Sequence, residues 1–127
     1  MAKTKILIVD DEENFAHIVK INLEQTGSFE VAVVPEASEA CKAATVLKPD
    51  LILLDIVMPD KDGFEVLKAL KSNDKTMAIP VIMLTAVGDD SAKIKAAEQF
   101  SEGYIIKPVS TEVLRTKIER VLERRPS

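Results

Sequence analysis

The stretch "LILLDIVMPD", residues 51–60, decides the fold. Four apolar residues in succession, Leu51 to Leu54, leave no polar face, which is the pattern of a strand covered on both sides. The run stops on Asp55. A Met58-Pro59 turn and two further aspartates, Asp60 and Asp62, follow. A carboxylate at the lip of the most hydrophobic strand is costly to desolvate, so its placement asks for a chemical reason.

Working outward, apolar runs alternate with helical patterns. "KILIV" (5–9) reads as a strand, and 12–26 as a helix with Phe15, Ile18, Val19 and Leu23 on one face. "FEVAVV" (29–34) is a second strand, and 36–48 places Ala37, Ala40, Cys41, Ala44 and Leu47 at helical spacing. After the third strand (51–54), Phe64, Leu67 and Leu70 mark a helix over 62–73. "IPVIML" (79–84) is a fourth strand, and a helix over 89–99 follows it. "GYII" (103–106) is the fifth strand, and the last helix runs over 110–124 through Val113, Leu114, Ile118, Val121 and Leu122. Five strands alternating with five helices predict an α/β fold with a parallel sheet between two helical layers. The fourth helix, with Ile94, Ala97 and Phe100, is the weakest in apolar anchors.

Composition narrows the class. The 127 residues suit one domain, 1–127, with no second domain expected after the fifth helix. Hydrophobic content of 46% with 30% charged residues is that of a globular protein, and no apolar run is long enough for a membrane span or laid out as a signal peptide. A net charge of −4 argues against nucleic-acid binding. One cysteine, Cys41, excludes an internal disulfide and fits a reducing cytoplasm. With His17 it is too little for a zinc site.

The strand ends share a property. "ILIV" ends in Asp10-Asp11, "LILL" in Asp55, "VIML" in Thr85, and "YII" in Lys107-Pro108. In a parallel sheet all carboxyl ends lie along one edge, where ligands bind beside the point at which strand order reverses. Residues spread from 10 to 107 are therefore expected to converge. Three carboxylates and one lysine leave a net charge of −2, which a divalent cation would cancel, and oxygen ligands favour a hard ion such as Mg²⁺. A carboxylate beside such an ion, a lysine and a hydroxyl suits phosphoryl transfer to aspartate.

"ILIVDDE", "DLILLDIVMPDKDGFEVL", "PVIMLTA" and "YIIKP", in order along essentially the whole chain, resemble the receiver domain of bacterial two-component response regulators. The resemblance implies a flavodoxin-like doubly wound sheet of order 2-1-3-4-5. It implies that Asp55 accepts a phosphoryl group from a histidine kinase or phosphotransfer protein. By the same likeness Asp10 and Asp11 hold Mg²⁺ with Asp55 and the Val57 carbonyl, Lys107 and Thr85 bond the phosphoryl oxygens, and Tyr104 is a switch aromatic. A cis Lys107–Pro108 peptide and a switching surface of helix 4, strand 5 and helix 5 also follow. That surface would address a downstream protein or a second copy. The only catalysis implied is of the chain's own phosphorylation and dephosphorylation.

Other readings weigh less against four motifs together. Aspartates before a helix are commonly caps, the reading kept here for Asp60 and Asp62. His17 reads as a surface residue, Cys41 as packing, and the mixed charges of the closing helix as a solvated face. A phosphatase of haloacid dehalogenase type would carry a second aspartate two residues after its nucleophile, where this chain has Val57. A flavin carrier would not place "DDEEN" against a phosphate. A receiver cut from a longer DNA-binding or enzymatic regulator stays open. Departures from the family pattern are "FSEGYII" before the fifth strand and apolar Val57 and Val87 where polar residues are frequent.

Overall fold

The computed structural model describes residues 3–59, 61–86 and 91–124, apart from the side chain of residue 99. Five strands form one sheet: β1 (Thr4–Val9), β2 (Phe29–Val34), β3 (Leu51–Asp55), β4 (Val81–Ala86) and β5 (Gly103–Lys107). The helices are α1 (Glu13–Gln25), α2 (Ala40–Leu47, entered by a 3₁₀ turn at Ala37–Glu39), α3 (Gly63–Ser72), α4 (Ser91–Phe100) and α5 (Thr111–Arg124). All pairings are parallel, in the order β2-β1-β3-β4-β5. This is the flavodoxin-like doubly wound fold, and strand order reverses between β1 and β3.

Alternation along each strand sends side chains to two cores. Ile6, Ile8, Leu51, Leu53, Ile82, Leu84 and Ile105 pack under α1 and α5. Leu7, Val9, Ile52, Leu54, Val81 and Met83 pack under α2, α3 and α4. Every residue of β3 is buried, Asp55 included. Each fully buried Leu or Ile contributes roughly 1.5–3 kcal/mol, so the central strands are the rigid part of the molecule.

Most expected stripe residues face inward, but single residues at the margins of several helices do not. In α1 the inward residues are Ala16, Val19 and Leu23, while Ile18 is 59% exposed. Ala16 takes the inward position where helix and sheet approach closely, and Ile18 lies a helical step to the outside. Leu47, Phe100 and Val113 are likewise exposed at the margins of their stripes. α2 is shorter than 36–48, because its first turn is 3₁₀ and Lys48, just before Pro49, adopts φ 50°. β4 begins at Val81 rather than Ile79, because Pro80 has no N–H and the Ile79 amide closes a turn on the Thr76 carbonyl. The start expected for the fourth helix, 89–90, and Val87 lie outside the described residues. Ala97 is the one fully buried residue among those described in α4, in keeping with weak anchoring.

β2 is an edge strand, and edges invite further strands. Here α1 covers part of it. The Lys20 ammonium donates to the Val31 carbonyl at 2.7 Å, and Glu24 Oε2 accepts from the Val31 amide at 3.1 Å. That hydrogen bond, the largest influence on Glu24, holds its carboxyl below the usual range. No helix among the described residues is long and apolar enough to cross a membrane.

Candidate functional site

The site is built at the carboxyl edge, on both sides of the β1/β3 switch point. Asp10 follows β1 and is fully buried, Asp55 closes β3 and is 6% exposed, and Lys107 closes β5. Strand alternation turns all three toward the α1/α5 side, since Ile8, Leu53 and Ile105 face that core. Asp11 is exposed at the rim. Carboxylate oxygens of Asp10, Asp11 and Asp55 lie within 4.8 Å of one another.

The loop after β3 is shaped around Gly63. Its amide donates to the Ile56 carbonyl at 2.7 Å, and Val57 bridges Asp62. A Cβ at position 63 would strike the Asp55 carbonyl and stand 2.7 Å from Ile56 Cα, so only glycine allows α3 to begin against the end of β3. Asp62 caps α3 by accepting from the Phe64 amide at 2.8 Å, a structural task. Asp60 lies outside the described residues. The Val57 side chain is 57% exposed beside Asp55, and its amide points to Asp55 Oδ1 at 3.4 Å.

Charge is crowded here. Lys107 Nζ lies 2.8 Å from Asp10 Oδ2, 2.7 Å from Glu12 Oε1 and 3.7 Å from Asp55 Oδ2, over the Phe15 ring at 4.5 Å from its centroid. Asp10 Oδ1 accepts from the Glu12 amide at 2.9 Å. Asp10 Oδ2 touches the ammonium at ion-pair distance but off the hydrogen-bonding direction. It is the one buried side-chain oxygen or nitrogen without a hydrogen bond among the described residues. Burial, then the Asp10 charge, pushes the Asp55 carboxyl up to about 7 against the opposing pull of Lys107. Burial depresses Lys107, but its close contacts with the Asp10 and Glu12 carboxylates and the charges of Asp10 and Asp55 outweigh it, so its net shift is upward. A buried carboxylate oxygen lacking a hydrogen bond, within a cluster of three carboxylates, fits a hard cation.

The remaining expected residues are placed differently. Thr85 is buried, and its hydroxyl donates to the Ile105 carbonyl at 3.4 Å. Alternation puts Thr85 on the Met83 side, with partly buried Tyr104, rather than on the Asp55 side. The structure thus gathers Asp10, Asp11, Asp55 and Lys107, while the Thr85 hydroxyl is bonded to the neighbouring strand. The Lys107–Pro108 peptide is cis. Glu12 and Phe15 contact the lysine, which sequence reading did not foresee. The signal available was a third carboxylate directly after Asp10-Asp11.

Residues 6–119 match the response regulator receiver domain family. The chain belongs to that family. The receiver is 37% identical over 120 residues to the alkaline phosphatase synthesis transcriptional regulatory protein PhoP of Bacillus subtilis, covering 94% of this chain and 49% of the relative. It is 38% identical over 124 residues to the phosphate regulon transcriptional regulatory protein PhoB of Pseudomonas aeruginosa, covering 98% and 54%. The receiver thus spans about half the length of these curated relatives. Among solved structures it resembles the chemotaxis protein CheY4 of Vibrio cholerae, with TM-score 0.85 and 29% identity over 94% of this chain and 99% of that one.

Proposed function

We propose that this receiver takes a phosphoryl group onto Asp55 from the phosphohistidine of a sensor histidine kinase or phosphotransfer protein. The observation that carries the proposal is a buried carboxylate at the end of β3, set between Asp10 and Lys107 at the switch point. Asp10, Asp11, Asp55 and the Val57 carbonyl would hold Mg²⁺. When bound, that ion supplies the positive charge that lets neighbouring carboxylates and phosphoryl oxygens share one cleft.

An Asp55 oxygen forms the new bond to phosphorus as the bond from phosphorus to the donor's imidazole nitrogen breaks. The electron pair leaves on that nitrogen. The rigid strand aims the nucleophile, so the rate advantage is largely one of orientation. Lys107 then balances the added negative charge, and Thr85 turns its hydroxyl to a phosphoryl oxygen. Loss of the group is attack by water on phosphorus, releasing inorganic phosphate and restoring the carboxylate. The exposed Val57 borders that water's approach, so polar residues substituted at positions 57 and 87 change the rate of phosphate loss. No turnover of an external substrate is proposed.

Movement of Thr85 vacates space for Tyr104 on the same face of the sheet and shifts α4, whose apolar anchoring is slight. Two states separated by a few kcal/mol suffice for such a switch. The α4–β5–α5 surface would carry the signal to a partner protein or a second copy. The setting would be the cytoplasm, with residues 1–127 acting as one unit or as part of a longer regulator. Intact mass after incubation with acetyl phosphate and Mg²⁺ tests the acceptor. One phosphoryl group is expected on wild type, none on Asp55→Asn, and none with EDTA. Unmodified wild type, or equal modification of the variant, overturns it. Unchanged amide exchange over 86–104 on adding beryllofluoride would refute the switch.

A further inference from the structure

Three carboxylates approach the Lys107 ammonium at unequal distances. Glu12 Oε1 at 2.7 Å and Asp10 Oδ2 at 2.8 Å stand at contact distance, whereas Asp55 Oδ2 at 3.7 Å lies beyond the reach of a charged hydrogen bond. The two near partners differ in kind. The Asp10 side chain is wholly buried, while the Glu12 side chain is 63% exposed and reaches in from solvent. Glu12 precedes α1 but makes no side-chain cap for it; its own amide is bonded by Asp10 Oδ1. Its carboxylate therefore has no helix-capping task, and its hydrogen bond runs to Lys107, across 95 residues of sequence.

We infer that Glu12 is a positioning residue for phosphoryl transfer, holding the Lys107 ammonium short of Asp55 in the resting receiver. The inference rests on the proposed role of Asp55. A phosphoryl group on Asp55 must draw the ammonium away from one of its partners, and the exposed carboxylate is the one that water can replace at small cost. Phe15, beneath the ammonium, gives it an apolar and π surface along which to move without leaving the cleft. Glu12 thus sets how far the resting lysine stands from its position after transfer. Weakening that hold brings the two closer and speeds the reaction.

The test uses Glu12→Gln, Lys107→Met and the double variant. In a metal-free crystal structure of Glu12→Gln, the ammonium is expected within about 3 Å of Asp55 Oδ2. Phosphoryl incorporation from acetyl phosphate with Mg²⁺ is expected to rise roughly two- to fivefold, the size of a partly exposed ion pair. The rise is expected to vanish in the Lys107→Met background. An ammonium that stays where it is, or an equal rise without the lysine, overturns the inference and leaves Glu12 only a long-range charge effect. If no variant and no wild type gains phosphoryl mass, the acceptor reading fails separately, and the crystallographic ammonium position still decides whether Glu12 restrains the lysine.

Discussion

The two edges of the sheet handle charge in opposite ways. At the amino edge the Glu102 and Asp50 carboxylates are matched. Glu102 Oε1 accepts from Lys71 at 2.7 Å and from the Val81 amide at 2.6 Å, while Lys71 also donates to the Ile79 carbonyl at 2.9 Å. Asp50 Oδ2 takes the Lys5 amide at 2.8 Å. At the carboxyl edge, three carboxylates crowd one lysine, Asp10 keeps an oxygen without a hydrogen bond, and Asp55 is pushed up to about 7. One edge spends its polar groups on stability. The other crowds like charges together and leaves one buried oxygen without a hydrogen bond among the described residues.

Removing a carboxylate should therefore have opposite signs at the two edges. Asp55→Asn should stabilise the metal-free receiver by about 2–4 kcal/mol above pH 7, because it removes a desolvated charge beside Asp10. The sign follows from linkage. With the folded pKa raised from 3.8 to about 7, Asp55 costs nothing below about pH 4. Its penalty grows between those values and is full above them, so denaturation curves of the variant and wild type should converge in acid. Stabilisation that persists unchanged at pH 4 would contradict this.

Gly63→Ala is expected to cost about 3 kcal/mol, because its Cβ meets the end of β3 and the loop must shift. Chemical denaturation measures it, and a neutral result would mean that α3 can recede freely. At the matched edge, Glu102→Ala should destabilise by about 1–3 kcal/mol at every pH from 6 to 9, leaving the Val81 amide and the Lys71 ammonium short of a partner. The smallest effect concerns the β2 edge. Lys20→Ala with Glu24→Ala should cost about 1 kcal/mol and raise concentration-dependent association in sedimentation, because Val31 regains a free amide and carbonyl.

The contrast also explains what could be read from sequence. β3 was legible because a strand buried on both faces has no polar alternation, and Asp10, Asp55 and Lys107 were legible because parallel strands end on one edge. Ile18 was misplaced because Phe15, Ile18 and Val19 form an apolar arc wider than the surface available to it. Which part faces the sheet depends on the close approach that Ala16 permits. Glu12 was missed because its partner is a lysine brought near only by folding. Thr85 was found at its strand end, where its hydroxyl rests on the Ile105 carbonyl, a partner that sequence does not reveal.

Addition of Mg²⁺ to the metal-free receiver, followed by amide chemical shifts along the backbone, tests the unequal edges most directly. The predicted result is saturable change at Asp10, Asp11, Asp55 and Val57, little change at Asp50, Val81 and Glu102, and loss of the response in Asp10→Asn. Saturable changes centred on the amino edge, or no response at the carboxyl edge in millimolar Mg²⁺, would contradict it.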